Sequence, residues 1–376
     1  MKRLLLIGAG HAHAQILKDW ISAPVPDTEL VIVSPSALSP YSGMVPGWLA
    51  GTYRYDEICI PFDALAAAAG ARFIVDELTG LDPDCRSVQL ASGATLDFDV
   101  LSLNVGSTLH APQVDGVRVL SLRPLGKLRE AWEAWLAEPT TATSSRPLAV
   151  TMVGGGAAGV EALLAALVRL RARQPARPIR ARLITESANL LTGAAPAAAR
   201  SAHAALAAAG VSVRLGTAYR DTVADSTDVL LWAAGAQAHA WQRDCGLAVS
   251  TGGFIRVDER LRSLSHPQVH AVGDCAEWTD PLPKAGVYAV RMGPVLSRNL
   301  RAALGAGEPT AYVPQRRVLS LLATGDGSAI ASWGCWSMQG RWVWRLKDRI
   351  DRAFVRRYTV GTAAPDHPAD ADPEAR

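Results

Sequence analysis

The chain has 376 residues, 49% of them hydrophobic and 19% charged, which is enough for two or three packed domains. Its net charge of only +3 argues against a nucleic-acid surface as the main function. The five cysteines include no C-x-x-C pair, so we expect neither a disulfide framework nor a metal site, and a reducing cytoplasm is the compartment that fits.

The chain opens with a predicted strand at 4–7, the turn Gly8-Ala9-Gly10 and an apolar-periodic helix. This order is typical of a dinucleotide-binding βαβ unit, in which Gly8 permits the tight turn and Gly10 lets a diphosphate approach the backbone. His13 stands in place of the third glycine of the fingerprint. We therefore expect altered helix–strand packing there, and interpret His13 as a spacer rather than a catalyst.

The same opening residues imitate a signal peptide, but their apolar run is very short for one. No apolar run in the chain reaches the ~18 residues that a transmembrane helix needs.

A second parallel strand is predicted at 29–33, followed by Ser34-Pro35. An acidic residue often binds the adenosine ribose at this point, and here a hydroxyl or backbone contact must replace it. The next loop, 39–51, is dense in Pro, Gly and aromatic residues. We expect it to cover a cofactor, and an ordinary surface crossover is the alternative.

A further buried strand is predicted before Gly106, then a helix at 124–137 and a linker at 138–147. After the linker comes a second strand and glycine turn, complete with Gly154, Gly156 and Gly159. Two phosphate-binding turns in one chain predict two dinucleotide sites and electron transfer between the two cofactors.

The strand predicted at 181–185 ends at Glu186. A carboxylate there would bind a ribose 2′-hydroxyl and repel a 2′-phosphate, which favours NADH, although several nearby arginines leave NADPH as an alternative. A strand at 228–232 leads to Gly235, and another at 270–272 leads to Gly273-Asp274. Asp274 is interpreted either as a ligand of a polyol or as a plain helix cap.

The segment 341–358 combines helical apolar spacing with many arginines and two tryptophans at its start. This pattern indicates either contact with an anionic membrane surface or a terminal helix that packs on the domain with a solvated basic face. The last residues, 359–376, are predicted to be disordered.

The order of these motifs over residues 1–300 resembles the flavoproteins with two dinucleotide folds, in the branch of type II NADH dehydrogenases and sulfide:quinone reductases. The stretches GAGHAHA, 39–51 and 316–334 look more narrowly like the pyridine nucleotide-disulfide oxidoreductase family proteins found beside or fused to selenide, water dikinase.

The resemblance implies an α/β fold with two Rossmann-like domains, one for FAD and one for NAD(P)H. It implies the division 1–110 and 244–305 for the FAD domain, 111–243 for the NAD(P)H domain and 306–358 for a C-terminal interface region, before the tail 359–376.

The resemblance also assigns residues. Asp274 matches the residue that holds the FAD ribityl chain, and Glu161 matches one located where the nicotinamide stacks on the flavin. Lys284, at the start of a helix facing the flavin, would stabilise reduced flavin together with the helix dipole. The implied catalytic residues are Glu161 and Lys284. The implied FAD residues are Gly8, Gly10, His11, Ala12, Ser34, Pro35, Pro46, Leu78, Val105, Gly106, Gly273, Asp274, Lys284 and Ala285. The implied NAD(P)H residues are Gly154, Gly156, Gly159, Glu161, Glu186, Ala234 and Gly235.

The leading hypothesis is an FAD-dependent NAD(P)H oxidoreductase that passes electrons to a quinone or another small acceptor, in the cytoplasm or peripherally on the inner face of the membrane. Arg291-Met292 stand where type II NADH dehydrogenases have paired glutamines at the quinone pocket, which counts against quinone. The alternatives are a sulfide or selenium-species oxidoreductase, for which Cys275 is the nearest thiol, and a flavin-holding redox partner of a selenophosphate-forming enzyme. No nucleic-acid partner is expected, and the oligomeric state is left open.

Overall fold

The computed structural model describes residues 1–138, 146–219, 227–315 and 317–360. The predicted linker lies mostly outside the described residues, and so does the predicted tail from residue 361 onward.

The first half of the chain alternates strands and helices, as expected for an α/β fold. Its elements are β1 (Lys2–Ile7), α1 (His11–Ser22), β2 (Thr28–Ser34), β3 (Leu38–Pro40), α2 (Val45–Ala50), β4 (Cys59–Pro61), α3 (Phe62–Ala68), β5 (Arg72–Val75), β6 (Leu78–Asp82), β7 (Ser87–Leu90), β8 (Thr95–Asp97), β9 (Val100–Leu103), β10 (Arg118–Ser121) and α4 (Leu125–Ala137).

The second half repeats the alternation and ends in a small sheet and a helix. Its elements are β11 (Leu148–Val153), α5 (Ala157–Arg173), β12 (Ile179–Ile184), α6 (Pro196–Ala208), β13 (Val211–Arg214), β14 (Val229–Trp232), β15 (Ile255–Val257), β16 (Val269–Ala271), β17 (Ala276–Trp278), α7 (Gly286–Ala303), β18 (Leu319–Ala323), β19 (Ala329–Trp333), β20 (Trp336–Gly340) and α8 (Arg341–Tyr358).

Two five-stranded parallel sheets form the framework. The first has the order β16-β9-β1-β2-β5 and the second the order β10-β14-β11-β12-β13. Their central strands, β1 and β11, are almost continuously apolar and buried, because a parallel sheet is covered by helices on both faces. The fold class predicted from the sequence is therefore confirmed.

The C-terminal region adds an antiparallel sheet, β18-β19-β20, and α8, which follows it directly. Leu322, Ile330 and Val355 from this region join the core of the second sheet. Residues 44–59 join the same core, because α2 packs on α5. The predicted loop at 39–51 is thus partly helical. No helix in the described ranges is long and apolar enough to cross a membrane.

Candidate functional site

Three adjacent strands of the first sheet end next to one another. Gly8 and Gly10 follow β1, Val105 and Gly106 follow β9, and Gly273 follows β16. Because the strands are parallel and in the order β16-β9-β1, these ends share one edge. That edge is where open parallel sheets bind ligands.

The two glycines of the first turn are required by the close approach of Asn104. Gly8 has a φ of +96°, and a Cβ there would lie 2.6 Å from the carbonyl oxygen of Asn104. A Cβ on Gly10 would lie 2.0 Å from Asn104 Oδ1. Neither position has room for a side chain. We expected Gly10 to be glycine for the sake of a diphosphate, and the structure adds a neighbouring side chain as a reason.

Asn104 is a site residue that the sequence analysis did not single out. Its Oδ1 accepts a hydrogen bond from the Ala12 N–H at 3.1 Å, and its Nδ2 donates to the Val272 carbonyl at 3.0 Å. One buried amide thereby joins β9, the first turn of α1 and the end of β16. One feature of the sequence could have identified Asn104: it is an asparagine at the end of an apolar strand. A buried side-chain amide needs hydrogen-bond partners.

Asp274 lies at the same edge and is paired with Arg123, whose Nη1 is 2.5 Å from Asp274 Oδ2. Arg123 also donates to the Ser107 hydroxyl. It belongs to the segment between β10 and α4, so this ion pair links the first sheet to the segment that leads out of the second. No motif marks Arg123, because the two partners are 151 residues apart.

His11 begins α1 and packs against two aromatic rings. Its ring centroid lies 5.3 Å from that of Tyr41 and 5.7 Å from that of Phe354 in α8. Burial lowers the pKa of His11 to about 4, against the opposing effect of Asp274. The imidazole is therefore neutral at physiological pH, and its Nε2 has no hydrogen-bond partner among the described residues.

The remaining predicted FAD residues of the first half lie on neighbouring elements. Ser34 is buried at the end of β2, and Pro35, which follows it, is exposed to solvent. Leu78 is buried at the start of β6. Pro46 is buried within α2, the helix that packs on α5. The loop also contacts the first turn directly, since Ser39 Oγ donates to the Ala9 carbonyl at 2.6 Å.

Lys284 precedes α7 and is held by the protein itself. Its Nζ donates to the Ala276 carbonyl at 2.6 Å and lies 3.8 Å from the ring centroid of Phe254. Burial lowers the pKa of Lys284. Ala285 is the N-cap residue of α7 and offers no capping side chain.

The second glycine turn repeats the first. Gly154 has a φ of +118°, and a Cβ on Gly159 would lie 2.1 Å from the Gly154 carbonyl oxygen, so only glycine fits the third position. Ala234 and Gly235 follow β14, which is adjacent to β11. Glu186 follows β12 and is exposed.

Both turns fit the diphosphate of a dinucleotide. The helices α1, α5 and α7 begin without a capping side chain and without an acidic residue in the first turn. Asn104 already accepts from the Ala12 N–H of α1, but the N-cap residues leave other terminal N–H groups to a ligand, and the helix dipole favours an anion there. A Cβ on Gly106, Gly156 or Gly235 would meet open space, which is room that a cofactor needs.

Glu161 on α5 faces the C-terminal region. Its Oε1 accepts a hydrogen bond from the Ala323 N–H at 2.7 Å. Burial raises the pKa of Glu161 to about 7, with Lys347 lowering it and Asp351 raising it. This carboxyl can therefore be protonated or ionised near neutral pH.

The inner face of α8 includes buried polar groups beside its buried valines. Lys347 is 7% exposed and donates to the Gly43 carbonyl at 2.6 Å, and it pairs with Asp351 at 2.6 Å. The Tyr53 hydroxyl donates to Asp348 at 2.6 Å. These contacts hold α8 on the segment that follows β3.

The outer face of α8 carries apolar residues beside its exposed arginines. Of the apolar residues at helical spacing, Leu346 and Ile350 are 40% and 42% exposed, whereas Val343 and Val355 are buried. The outer face continues onto the small sheet as one exposed groove of about 410 Å³. We call this the apolar groove; it is lined by Leu319, Leu321, Ala331, Trp333, Trp336, Ser337, Met338, Trp342 and Leu346.

Within the part of the chain that the structure describes, the thiols and acidic groups do not form a second kind of site. All five cysteines are free, and burial raises the pKa of Cys275 to about 11, which makes that thiol a poor nucleophile. The described residues contain no cluster of His, Cys, Asp or Glu that could hold a metal ion.

Comparison with known proteins places these features in a context. The model of the pyridine nucleotide-disulphide oxidoreductase family matches residues 2–293. A probable NADH dehydrogenase of Dictyostelium discoideum is 22% identical over 73% of this chain and 68% of its own length. An NADH dehydrogenase-like protein of Mycobacterium tuberculosis is 25% identical over 73% of this chain and 73% of its own length.

Two solved structures have the same fold over most of this chain. The sulfide:quinone oxidoreductase of Aquifex aeolicus gives a TM-score of 0.77 at 15% identity, covering 95% of this chain and 91% of its own. NDH2 from Plasmodium falciparum, in complex with NADH, gives 0.76 at 13% identity, covering 94% and 98%.

Proposed function

The chain belongs to the pyridine nucleotide-disulphide oxidoreductase family, and from this membership we propose that it is an NADH dehydrogenase that delivers electrons to a quinone or another small acceptor. It is an oxidoreductase with FAD and NAD(P)H as its cofactors. One observation carries the proposal: two glycine turns, each leading into a helix whose N-cap residue is a glycine, at the carboxyl ends of the central strands of two parallel five-stranded sheets.

We assign FAD to the first turn and NAD(P)H to the second, with the domain division given by the sequence analysis. The N–H groups at the start of α1 would bind the FAD diphosphate. Asp274, oriented by Arg123, would accept hydrogen bonds from the ribityl hydroxyls. Bound there, FAD would supply the hydride acceptor for the nicotinamide and the route for onward electron transfer. The start of α7 and the charge of Lys284 would favour the reduced, anionic form.

Glu186 supports NADH rather than NADPH as the donor. Its exposed carboxylate, two residues beyond the end of β12, would accept a hydrogen bond from a ribose 2′-hydroxyl and repel a 2′-phosphate. The test is anaerobic mixing of the protein with NADH and then with NADPH, while the flavin absorbance is followed. We expect NADH, and not NADPH, to bleach the flavin. Glu186→Ala should reduce this preference for NADH over NADPH. No bleaching by either nucleotide would reject the dehydrogenase.

Glu161 is the proposed catalytic residue. Its contact with the Ala323 N–H of the C-terminal region favours a role toward the acceptor, rather than the place beside the nicotinamide that the resemblance implied. A carboxyl whose pKa lies at about 7 can hold or release a proton at the pH at which the enzyme works. Glu161→Gln keeps the hydrogen bond to Ala323 but fixes the side chain as neutral. Flavin reduction by NADH should survive this change, while reoxidation by a quinone should slow and lose its pH dependence.

The apolar groove supports a lipid-soluble acceptor and a peripheral membrane position. It exposes Trp336 and Trp342 at 65% and 53%, and α8 also carries exposed arginines. Aromatic residues with a basic rim are typical of surfaces that contact anionic lipid. A double variant with Leu346→Asp and Ile350→Asp should co-sediment less with anionic vesicles. Its reduction of ferricyanide by NADH should be unchanged. Unchanged sedimentation would reject the membrane contact.

A second proposal concerns the partner. The likeness of GAGHAHA and neighbouring stretches to flavoproteins found beside selenide, water dikinase supports electron exchange with a selenophosphate-forming enzyme. The test is co-purification of the two proteins and oxidation of the reduced flavin by the mixture. If neither occurs, this partner is rejected and the quinone proposal is unaffected.

A further inference from the structure

His13 occupies the position of the third glycine in the first turn, and the two halves of the chain show what it replaces. In the second turn a Cβ on Gly159 would lie 2.1 Å from the Gly154 carbonyl oxygen, so that helix needs a glycine. In the first turn the equivalent carbonyl belongs to Gly8. The fully buried His13 donates to it through Nδ1 at 2.6 Å.

The second ring nitrogen of His13 is also paired. Its Nε2 lies 2.9 Å from Ser102 Oγ on β9. The Gly8 carbonyl can only accept, so Nδ1 carries the proton, and Nε2 must accept from the Ser102 hydroxyl. Burial lowers the pKa of His13 to about 4, which keeps the ring neutral. The two contacts therefore define one tautomer.

The backbone of the turn is nearly the same in both halves. Gly10 has φ and ψ of −81° and 163°, and Gly156 has −75° and 177°. The first turn thus keeps its conformation without the third glycine. A buried carbonyl needs a hydrogen-bond partner, and in this turn the imidazole supplies one to Gly8.

We propose that His13 is a positioning residue of the FAD site: its imidazole joins the Gly8 carbonyl to Ser102 and fixes the peptide that precedes Ala9. Ser39 holds the next carbonyl, that of Ala9, at 2.6 Å. Ser102 precedes Asn104 by two residues, so the ring also links the turn to the strand end that approaches it. This inference rests on the proposed binding of FAD to the first turn.

Four variants separate a hydrogen-bonding role from a spacer. Asparagine can place an amide N–H near the position of Nδ1, whereas glutamine reaches the position of Nε2. We expect His13→Asn to bind FAD within about threefold of the wild type, since it keeps the Gly8 contact. His13→Gln, His13→Ala and His13→Gly should each weaken binding about tenfold, as expected for a lost buried hydrogen bond. The readout is titration of the flavin-free protein with FAD.

His270→Ala is the matched control. His270 is a fully buried imidazole on β16, and neither of its nitrogens has a partner among the described residues. The His270→Ala substitution leaves a cavity like that of His13→Ala but removes no contact to the glycine turn. FAD affinity should therefore stay near the wild-type value. Equal weakening by His270→Ala, or wild-type affinity in His13→Gly, would overturn the inference.

Nitrogen NMR of the wild-type protein tests the tautomer without any substitution. His13 should carry its proton on Nδ1, unlike the exposed His203, which should average over both tautomers. A protein that binds FAD with His13 protonated on Nε2 would overturn this inference alone. Failure of the wild-type protein to bind FAD at all would instead overturn the proposed cofactor.

Discussion

At the scale of single residues, Asn104 is the side chain on which most contacts of the first edge depend. Replacing it by alanine leaves the Ala12 N–H without a side-chain partner and leaves the Val272 carbonyl with only the weak donor Cys275 Sγ. Each lost buried bond costs about 1–3 kcal/mol, so we expect Asn104→Ala to lower the free energy of unfolding by about 2–4 kcal/mol and to release FAD. Urea unfolding measures the first effect and flavin fluorescence the second.

The control for that experiment is Asn189→Ala, which changes an exposed asparagine and should leave both quantities unchanged. An Asn104→Ala protein of wild-type stability would mean that water replaces both contacts.

Three histidines make the stability depend on pH. Burial lowers the pKa of His11, His13 and His270 from 6.5 to about 4. Below pH 6.5 the unfolded chain takes up protons that the folded chain does not. Their contribution is thus fully present above pH 6.5 and is lost as the pH falls toward 4, by up to about 3 kcal/mol for each residue.

The measurement is urea unfolding between pH 7.5 and about 5. His270→Phe should flatten the dependence, since phenylalanine takes up no proton, whereas the exposed His203→Ala should keep the wild-type slope. A slope in His270→Phe equal to that of the wild type would show that His270 is not neutral in the folded protein.

At the scale of elements, α8 packs inward with a charged pair between two buried valines, Val343 and Val355. Lys347 and Asp351 are both nearly buried and pair with each other. Lys347→Ala leaves Asp351 without its partner, and loss of one member of a buried pair costs about 3–5 kcal/mol. We expect lower stability and faster proteolysis of α8.

The double change of Lys347→Met and Asp351→Leu should cost less than Lys347→Ala, since it removes both charges together. Arg345→Ala on the exposed side of the same helix is the neutral control. If Lys347→Ala and Arg345→Ala behave alike, the ion pair contributes little to holding α8.

At the scale of the whole molecule, α8 connects the two cores. Val343 and Val355 are buried, with Val355 in the core of the second sheet, and Tyr358 joins the core beside α1. Truncation after Gly340 should therefore lower the melting temperature of the whole chain and weaken FAD binding. The Leu346→Asp and Ile350→Asp substitutions should change neither quantity. A truncated protein with the wild-type melting temperature would show that α8 does not stabilise the rest of the chain.

The sequence by itself determined the alternating strands and helices, the two glycine turns and the existence of a C-terminal helix at Arg341–Tyr358. These features follow from local chemistry: runs of apolar residues form buried parallel strands, glycine permits the tight turn, and periodic spacing forms a helix.

The tertiary structure alone decided which side chains meet. The pairs Arg123–Asp274 and Lys347–Gly43 are separated by 151 and 304 residues, and no local pattern specifies them. The sequence also did not determine which face of α8 packs inward, because both faces carry apolar residues. The contacts with the polar groups of residues 41–53 select the inner face. Long-range partners depend on how the two sheets are placed, which local sequence patterns do not encode.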